Sequence, residues 1–320
     1  MHSNELKKML GLAIQVDRLA SDQSVLKLFT SIDFESSRDV YDVIEQVNNS
    51  KLMKKNISYA ELIDSQKYID EHLNLGINIV PFGDDMYPLS LAMTPNPPAM
   101  IYVKGDINIL KALPGVAIVG SRDVSPAGEE ITKRITSRVC KENFVIVSGL
   151  AIGTDTNAHK ATLKAKGKTI AVLAHGLEAA KPRQNARLAD EILHLGGAWI
   201  SEYPIGRPAW KQSFVQRNRI QVGLSAVSIL IEAAKGSGTM TQADFALKAA
   251  RPIFAVVPHK EYNPLYLNCE GTEYLVQQNL ARALKTSEDY DILVSVILQS
   301  SAKIKSYAKT YAENMKQSLF

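Results

Sequence analysis

Glycine residues, together with hydroxyl or cationic side chains, follow three apolar segments of the sequence. This combination suits the binding of phosphate groups. Glycine lets the backbone turn tightly and approach a ligand, and the amide groups that open a following helix bind anions. An arginine adds a forked donor that matches phosphate geometry. The three sets are Gly120, Ser121 and Arg122; Ser148 and Gly149; and Lys235, Gly236, Ser237, Gly238 and Thr239.

The first and third sets differ in how strongly they indicate a phosphate site. For Arg122, an ordinary strand-to-helix turn with a surface arginine is an equal interpretation. The third set is the strongest signal, because small residues and hydroxyls open a helix directly after Lys235.

A basic cluster with an interleaved aromatic residue lies at 211–219, directly after Trp210. Cations neutralise phosphates and an aromatic ring stacks on an unpaired base, so this pattern is typical of single-strand binding. An amphipathic helix with its ring in the core and its arginines in solvent is an equal interpretation. The candidate DNA-binding residues are Lys211, Phe214, Arg217, Asn218 and Arg219.

Motifs of hydrolases, metalloproteases and dinucleotide enzymes are missing from the sequence. It contains no GxSxG, HExxH or GxGxxG, and the loop at 235–239 lacks the Gly-Lys-Ser/Thr element of a P-loop. Asp155 and Glu232 follow separate strand-like runs, and the sequence leaves open whether they meet. We therefore predict a binding protein without metal or cofactor, and not an enzyme.

Short runs rich in valine and isoleucine alternate with helix-like segments from residue 116 to residue 258. The runs lie at 116–119, 144–147, 169–173, 198–200, 227–231 and 253–257. This alternation predicts an α/β fold with an extended Rossmann-like parallel sheet and helices on both faces. Ligands of such sheets bind beyond the carboxyl ends of the strands, which is where the candidate residues lie.

The spacing of apolar residues divides the chain into three parts. Residues 1–75 predict a small helical N-terminal domain, and 286–320 predict a helical C-terminal tail. Residues 76–285 contain the alternating region, preceded by two strand-like runs at 77–81 and 100–103, and form the predicted DNA-binding domain.

Composition is that of an ordinary globular protein: 320 residues, 46% hydrophobic and 22% charged, with a formal net charge of +4. This mild positive charge permits nucleic-acid binding without requiring it. The two cysteines, Cys140 and Cys269, have no metal-ligand spacing and give no sign of an oxidising compartment. Without an apolar leader or a membrane-length apolar stretch, we expect a cytoplasmic protein with no membrane association.

Five segments resemble, in order, the motifs of the DprA/Smf family of DNA-processing proteins. They are VAIVGSR at 116–122, SGLAIGTD at 148–155, SEYPIG at 201–206, FVQRNRIQVGLS at 214–225 and EAAKGSGTMTQADFALKAARPIFAVVP at 232–258. The resemblance implies an extended Rossmann fold that forms a homodimer and binds and protects single-stranded DNA. It also implies loading of RecA recombinase onto that DNA in natural transformation. The DNA contacts it implies are Arg122, Lys211 and Phe214, while Arg217 and Arg219 belong to the RNR motif.

Two alternatives share the same core. LOG-type nucleotide phosphoribohydrolases and related nucleotide sensors are similar to it, which makes binding of a small nucleotide an alternative function. Their loop PGGxGTxxE carries an acid–base glutamate, whereas Gln242 occupies that position here, and an amide cannot transfer a proton. A role in genome maintenance or phage defence would keep the DNA site with another partner, and the sequence does not separate it from transformation.

Overall fold

The computed structural model describes residues 3–34, 36–37 and 39–317. The strands are β1 (Ile77–Pro81), β2 (Met100–Gly105), β3 (Gly115–Val119), β4 (Ile146–Ser148), β5 (Thr169–Val172), β6 (Ala198–Ser201), β7 (Ser225–Leu230), β8 (Ile253–Val256) and β9 (Arg282–Leu284). The helices are α1 (Ser3–Val16), α2 (Asp22–Ser31), α3 (Val40–Asn49), α4 (Tyr59–Asp64), α5 (Gln66–Asn74), α6 (Leu89–Ala92), α7 (Pro126–Cys140), α8 (Thr154–Lys164), α9 (Ala186–His194), α10 (Lys211–Gly223), α11 (Gly238–Lys248), α12 (Glu270–Gln277) and α13 (Tyr290–Gln317).

These strands form one sheet in the order β1-β2-β6-β5-β4-β3-β7-β8-β9. The pairings from β6 through β9 are parallel, whereas β1 and β2 join the edge antiparallel to each other and to β6. The predicted Rossmann-like parallel sheet is confirmed, with an antiparallel extension at one edge.

The strand order reverses direction between β3 and β7. The chain runs outward from β3 through β4 and β5 to β6, then returns to β7 on the other side of β3 and continues outward through β8. At such a switch point the connections leave to opposite sides, which opens a crevice beyond the carboxyl ends of the two strands.

Side chains along β3 point alternately to the two faces of the sheet, and helices pack against both faces. Val116 and Ile118 point to one side and pack in a cluster with Ile135 of α7. Val119 points to the other side and packs with Ala243 of α11 and Val222 of α10. The prediction of helices on both faces is therefore confirmed.

Helices α1–α5 pack against the antiparallel edge of the sheet. Their buried residues, including Leu10 and Leu12, belong to the same hydrophobic cluster as Met100 and Tyr102 of β2. The Asp22 carboxylate at the start of α2 also accepts hydrogen bonds from Gln15 Nε2 at 3.1 Å and from the Ala99 amide at 3.2 Å. Since the packing is continuous across residue 76, the domain boundary there stays a prediction.

The predicted C-terminal tail contains α13, which packs on the sheet through its first half. Leu293 and Ile297 are buried in the cluster that contains Val227 of β7, and Ser300 Oγ donates to the Ala226 carbonyl at 2.7 Å. Within the described ranges, no helix combines the length and the apolar character that crossing a membrane would need.

Candidate nucleic-acid interface

A cavity of about 340 Å³ opens at the switch point, beyond the carboxyl ends of β3 and β7. Its walls come mainly from the loop after β3, from both halves of α10 and from the start of α11. Of the predicted site residues, Gly120, Ser121, Arg122, Phe214, Arg217, Asn218, Ser237, Gly238 and Thr239 line it. Ser148, Gly149, Lys211, Arg219, Lys235 and Gly236 lie outside this lining.

At the rim of the cavity, Arg122 and Phe214 form a cation–π pair. The Arg122 guanidinium carbon lies 5.8 Å from the centre of the Phe214 ring. Arg122 is exposed and Phe214 is 38% exposed. The ring therefore lies outside the core, whereas the amphipathic-helix interpretation placed it in the core. Lys211, three residues earlier on α10, is also exposed. The cationic groups of Arg122 and Lys211 and the ring of Phe214 are therefore all exposed to solvent.

Arg217 occupies the floor of the cavity. Its Nη1 donates to the Val172 carbonyl at 2.8 Å, and its side chain is nearly inaccessible to solvent. Burial lowers the pKa of the Arg217 guanidinium, and the charge of nearby Asp155 opposes this effect. Its Nε lacks a hydrogen-bond partner within the described structure. Arg217 therefore combines an internal anchor with a donor that a bound anion can satisfy.

Ser148 and Gly149 are buried and each forms a hydrogen bond within the fold, while their DNA contact stays a prediction. Ser148 Oγ donates to the Ile118 carbonyl at 2.7 Å, which joins β4 to β3. The Gly149 amide donates to Asp155 Oδ2 at 3.0 Å. Burial raises the pKa of the Asp155 carboxyl, while Arg217 opposes that rise. These residues fix the loop beneath Arg217.

Arg219 is likewise turned inward. It forms an ion pair with Glu202 at the end of β6, and its side chain is 14% exposed. Burial raises the pKa of Glu202 to about 7, with Arg219 acting against the rise and Asp22 adding to it. This ion pair ties α10 to the residue that follows β6, and a DNA contact of Arg219 stays a prediction.

Asn218 holds the start of α11 against α10. Its Nδ2 donates to the Gly238 carbonyl at 3.2 Å and to Thr241 Oγ1 at 2.9 Å. The preceding loop turns at Gly236, whose φ of 79° favours glycine. Exposed Lys235 lies over the Tyr274 ring at 5.6 Å. This loop is therefore positioned from α10 and stays open to solvent.

Two further cavity residues, Gln221 and Gln242, carry polar groups that sequence reasoning did not assign to binding. Both are 1% exposed and both line the cavity. Within the described residues, Gln221 Nε2, Gln242 Oε1 and Ser237 Oγ have no hydrogen-bond partner. Buried polar atoms without partners beside a cavity indicate a ligand or ordered water. The sequence did not indicate a binding role for Gln221, because this residue lies in the half of α10 that is otherwise buried.

Asp155 and Glu232 do not meet as a catalytic pair. Glu232 accepts from the Ser125 amide at 2.8 Å, from Ser125 Oγ at 2.7 Å and from the Asn268 amide at 3.0 Å. Asp155 accepts from the amides of its own loop, at Gly149 and Ala151. Each carboxylate holds a separate loop in place.

Comparison with known proteins gives one consistent result. A family model described as DNA recombination-mediator protein A matches residues 78–295. DNA processing protein DprA of Bacillus subtilis is 37% identical over 216 residues, which are 67% of this chain and 70% of that protein. Protein Smf of Escherichia coli is also 37% identical over 216 residues, which are 68% of this chain and 56% of that protein.

Two solved structures share the fold. DNA processing protein A from Streptococcus pneumoniae superposes with a TM-score of 0.62 at 30% identity, over 90% of this chain and 92% of that one. DNA processing protein A from Helicobacter pylori superposes with a TM-score of 0.60 at 28% identity, over 68% of this chain and 96% of that one. The Helicobacter pylori structure describes the single-stranded DNA binding mode of that protein.

Proposed function

Because the chain belongs to the DNA recombination-mediator protein A family, we propose that it binds and protects single-stranded DNA. The observation that carries this proposal is the exposed pair of Arg122 and Phe214 at the rim of the switch-point cavity. The guanidinium supplies charge for a phosphate and the ring supplies a stacking surface for a base.

Single strands fit this arrangement better than duplexes. A ring that stacks on a base needs an unpaired base, whose face is free only in single-stranded nucleic acid. The cavity behind the ring, about 340 Å³, is near the lower end of volumes that hold small ligands, and its floor is cationic at Arg217. Backbone phosphates and one base can therefore be held at the same edge of the sheet.

Fluorescence anisotropy with labelled oligo-dT, single-stranded and duplexed, across a salt series tests the proposal. We expect a clear preference for the single strand, with an affinity that falls steeply as salt rises. Equal binding to the duplex, or no binding at moderate salt, would contradict it.

Loading of RecA onto bound DNA, in natural transformation and in the cytoplasm, is the finer part of the proposed role. The family description as a recombination mediator supports it. The test measures RecA ATPase activity on oligo-dT that is first coated with a single-strand-binding protein. We expect this chain to shorten the lag before ATP hydrolysis, and an unchanged lag would argue for a DNA-binding role with another partner.

A homodimer is the proposed assembly. Exposed apolar side chains on neighbouring elements support a contact between copies, among them Leu247 on α11 and Tyr274 on α12. Sedimentation velocity over a range of concentrations measures the mass directly. A monomer at every concentration would remove the dimer from the proposal.

Nucleotide binding without DNA remains the second candidate, and the proposed DNA-binding role includes no catalytic step. The volume of the cavity favours this candidate, while Gln242 in its wall provides an amide where acid–base chemistry needs a carboxylate. Incubation with nucleoside monophosphates and an assay for released ribose 5-phosphate test it. We expect no release, and release above the buffer control would establish an enzyme.

A further inference from the structure

Trp210, the residue directly before α10, has an exposed indole. It is 43% exposed, whereas Trp199 is 3% exposed and donates its Nε1 hydrogen to the Ala189 carbonyl at 3.0 Å. Two guanidiniums approach the Trp210 ring. Arg18 lies 5.7 Å and Arg207 lies 5.3 Å from its centre.

These two arginines come from different parts of the chain. Arg18 follows α1 in the N-terminal helical region, and Arg207 lies in the loop after β6. The Arg207 backbone is fixed on both sides, because its amide donates to the Pro204 carbonyl and its carbonyl accepts from the Gly176 amide. The N-terminal region thus contributes a cation to a ring that belongs to the Rossmann-like region.

Two positive charges converge on this ring. Burial lowers the pKa of Arg207, and the charge of Arg18 lowers it further. Neither arginine forms an ion pair with any described acidic residue, and Arg207 Nε is buried with no hydrogen-bond partner. Repulsion between like charges is relieved when an anion lies between them, and two forked donors suit a phosphate.

Trp210 and Phe214 are four residues apart at the start of α10. Trp210 is the N-cap of α10 and has extended backbone angles, and Phe214 lies in the first turn of the helix. Each ring carries its own guanidinium, Arg122 at Phe214 and the pair Arg18 and Arg207 at Trp210. Two pairings of an aromatic ring with a cation therefore lie at the same end of α10.

We propose that Arg18, Arg207 and Trp210 form a second nucleotide-binding station on the path of the same single strand. The two guanidiniums bind a phosphate, and the indole stacks on the base next to the one held at Phe214. This station rests on the proposed DNA-binding function and extends the DNA path onto the N-terminal helical region. Because every base has a stacking face, the station does not select a sequence.

The two tryptophans give the proposal a direct optical test. In the Trp199→Phe variant, Trp210 is the only tryptophan left, and we expect oligo-dT of 15 nucleotides to quench its emission. In the Trp210→Phe variant, the emission of buried Trp199 should stay unchanged on the same titration. Acrylamide quenching provides a second readout, since a stacked base should protect Trp210 from the quencher.

Affinities measured by anisotropy complete the test. Trp210→Ala and Arg18→Ala should each weaken binding of the 15-nucleotide strand on the order of ten-fold, the range of one lost stacking or phosphate contact. A 4-nucleotide strand is long enough to reach both Phe214 and Trp210, so its binding should weaken by a similar factor. Arg134→Ala on α7 removes the same charge as Arg18→Ala at another exposed position and should leave both affinities unchanged.

The outcomes separate this proposal from the function on which it rests. Tight binding of the 15-nucleotide strand with no change in Trp210 emission, and with wild-type affinity in Trp210→Ala, would overturn the second station and leave DNA binding intact. Failure of the parent protein to bind either strand would overturn the proposed function itself. Equal quenching by duplex DNA would overturn base stacking at Trp210.

Discussion

A Cβ atom added at Gly149 would lie 1.5 Å from Nη1 of Arg217. The guanidinium occupies the space that any other residue at 149 would need, and it donates from there to the Val172 carbonyl. Gly149, in the second glycine-containing motif, therefore leaves the space that the Arg217 side chain of the RNR motif occupies.

Gly149→Ala should destabilise the protein strongly because its methyl group displaces a buried, hydrogen-bonded guanidinium. Overpacking of a core costs about 1–3 kcal/mol, and loss of the Arg217 anchor adds to that. Urea unfolding followed by circular dichroism measures the change in the free energy of unfolding. Gly238→Ala is the matched control, since a Cβ there meets no atom within 4 Å. Equal stability of the two variants would show that Arg217 has another low-energy position.

Arg122→Ala and Phe214→Ala should weaken oligo-dT binding in different ways. Loss of one phosphate contact reduces the slope of log K against log salt by about 0.7 for a single strand, so Arg122→Ala should flatten the salt dependence. Loss of stacking costs about 1–3 kcal/mol per base, so Phe214→Ala should lower the affinity at every salt concentration with the slope unchanged. Anisotropy titrations at four or more salt concentrations distinguish the two results. If both variants had the parent slope, Arg122 would not contact phosphate.

Gln242→Glu should weaken DNA binding, because it places a carboxylate in the wall of a cavity proposed to hold phosphate. The side chain is 1% exposed, and burial raises the pKa of a carboxyl, so the new glutamate is partly neutral at low pH. We expect a loss of on the order of ten-fold at pH 8 and a smaller loss at pH 6. Gln299→Glu on α13 makes the same change at an exposed position and serves as the control. A pH-independent loss would point to a steric effect.

The stability of the protein should depend on pH through Glu202. Burial raises the pKa of this carboxyl to about 7 in the folded protein, above its ordinary value of 4.5. A raised pKa means that folding favours the protonated form, so the contribution to stability is full below pH 4.5 and is lost as pH rises through about 7.

Glu202→Gln should remove this dependence. The difference in the free energy of unfolding between parent and variant should grow in favour of the parent by about 1–3 kcal/mol from pH 8 to pH 5. Urea midpoints at several pH values measure it, and Glu191→Gln at an exposed position of α9 is the control. A constant difference across this range would mean that Arg219 keeps Glu202 ionised throughout.

Much of the parallel sheet was predictable, because each of its strands except β9 is mostly apolar and contains valine or isoleucine. The run at 169–173 and strand β5 (Thr169–Val172) begin at the same residue. Strand β9 was missed because it is three residues long and its first residue is an exposed arginine, Arg282. The antiparallel pairing of β1 and β2 was also invisible, since pairing between distant segments leaves no local signal.

The roles along α10 were harder to predict. The local pattern favoured a helix with Phe214 in the core and its arginines in solvent as readily as one that presents the ring and the arginines to DNA. The structure has Phe214 outside and both arginines inside. The deciding contacts are the Val172 carbonyl for Arg217 and the Glu202 carboxylate for Arg219, which lie 45 and 17 residues away in the sequence. Spacing within one helix carries no information about such partners.

Helix α10 divides sharply between its two halves. Lys211, Gln212 and residues 214–216 face solvent, whereas Arg217 and the residues that follow it are largely enclosed. Substitutions in the first half can therefore retune affinity or base preference at little cost in stability, while changes in the second half disturb the sheet and the packing of the N-terminal helices together. Relatives that adapt to different DNA partners should vary at the start of this helix, and a directed-evolution library confined to those five positions would retain the fold in most of its members.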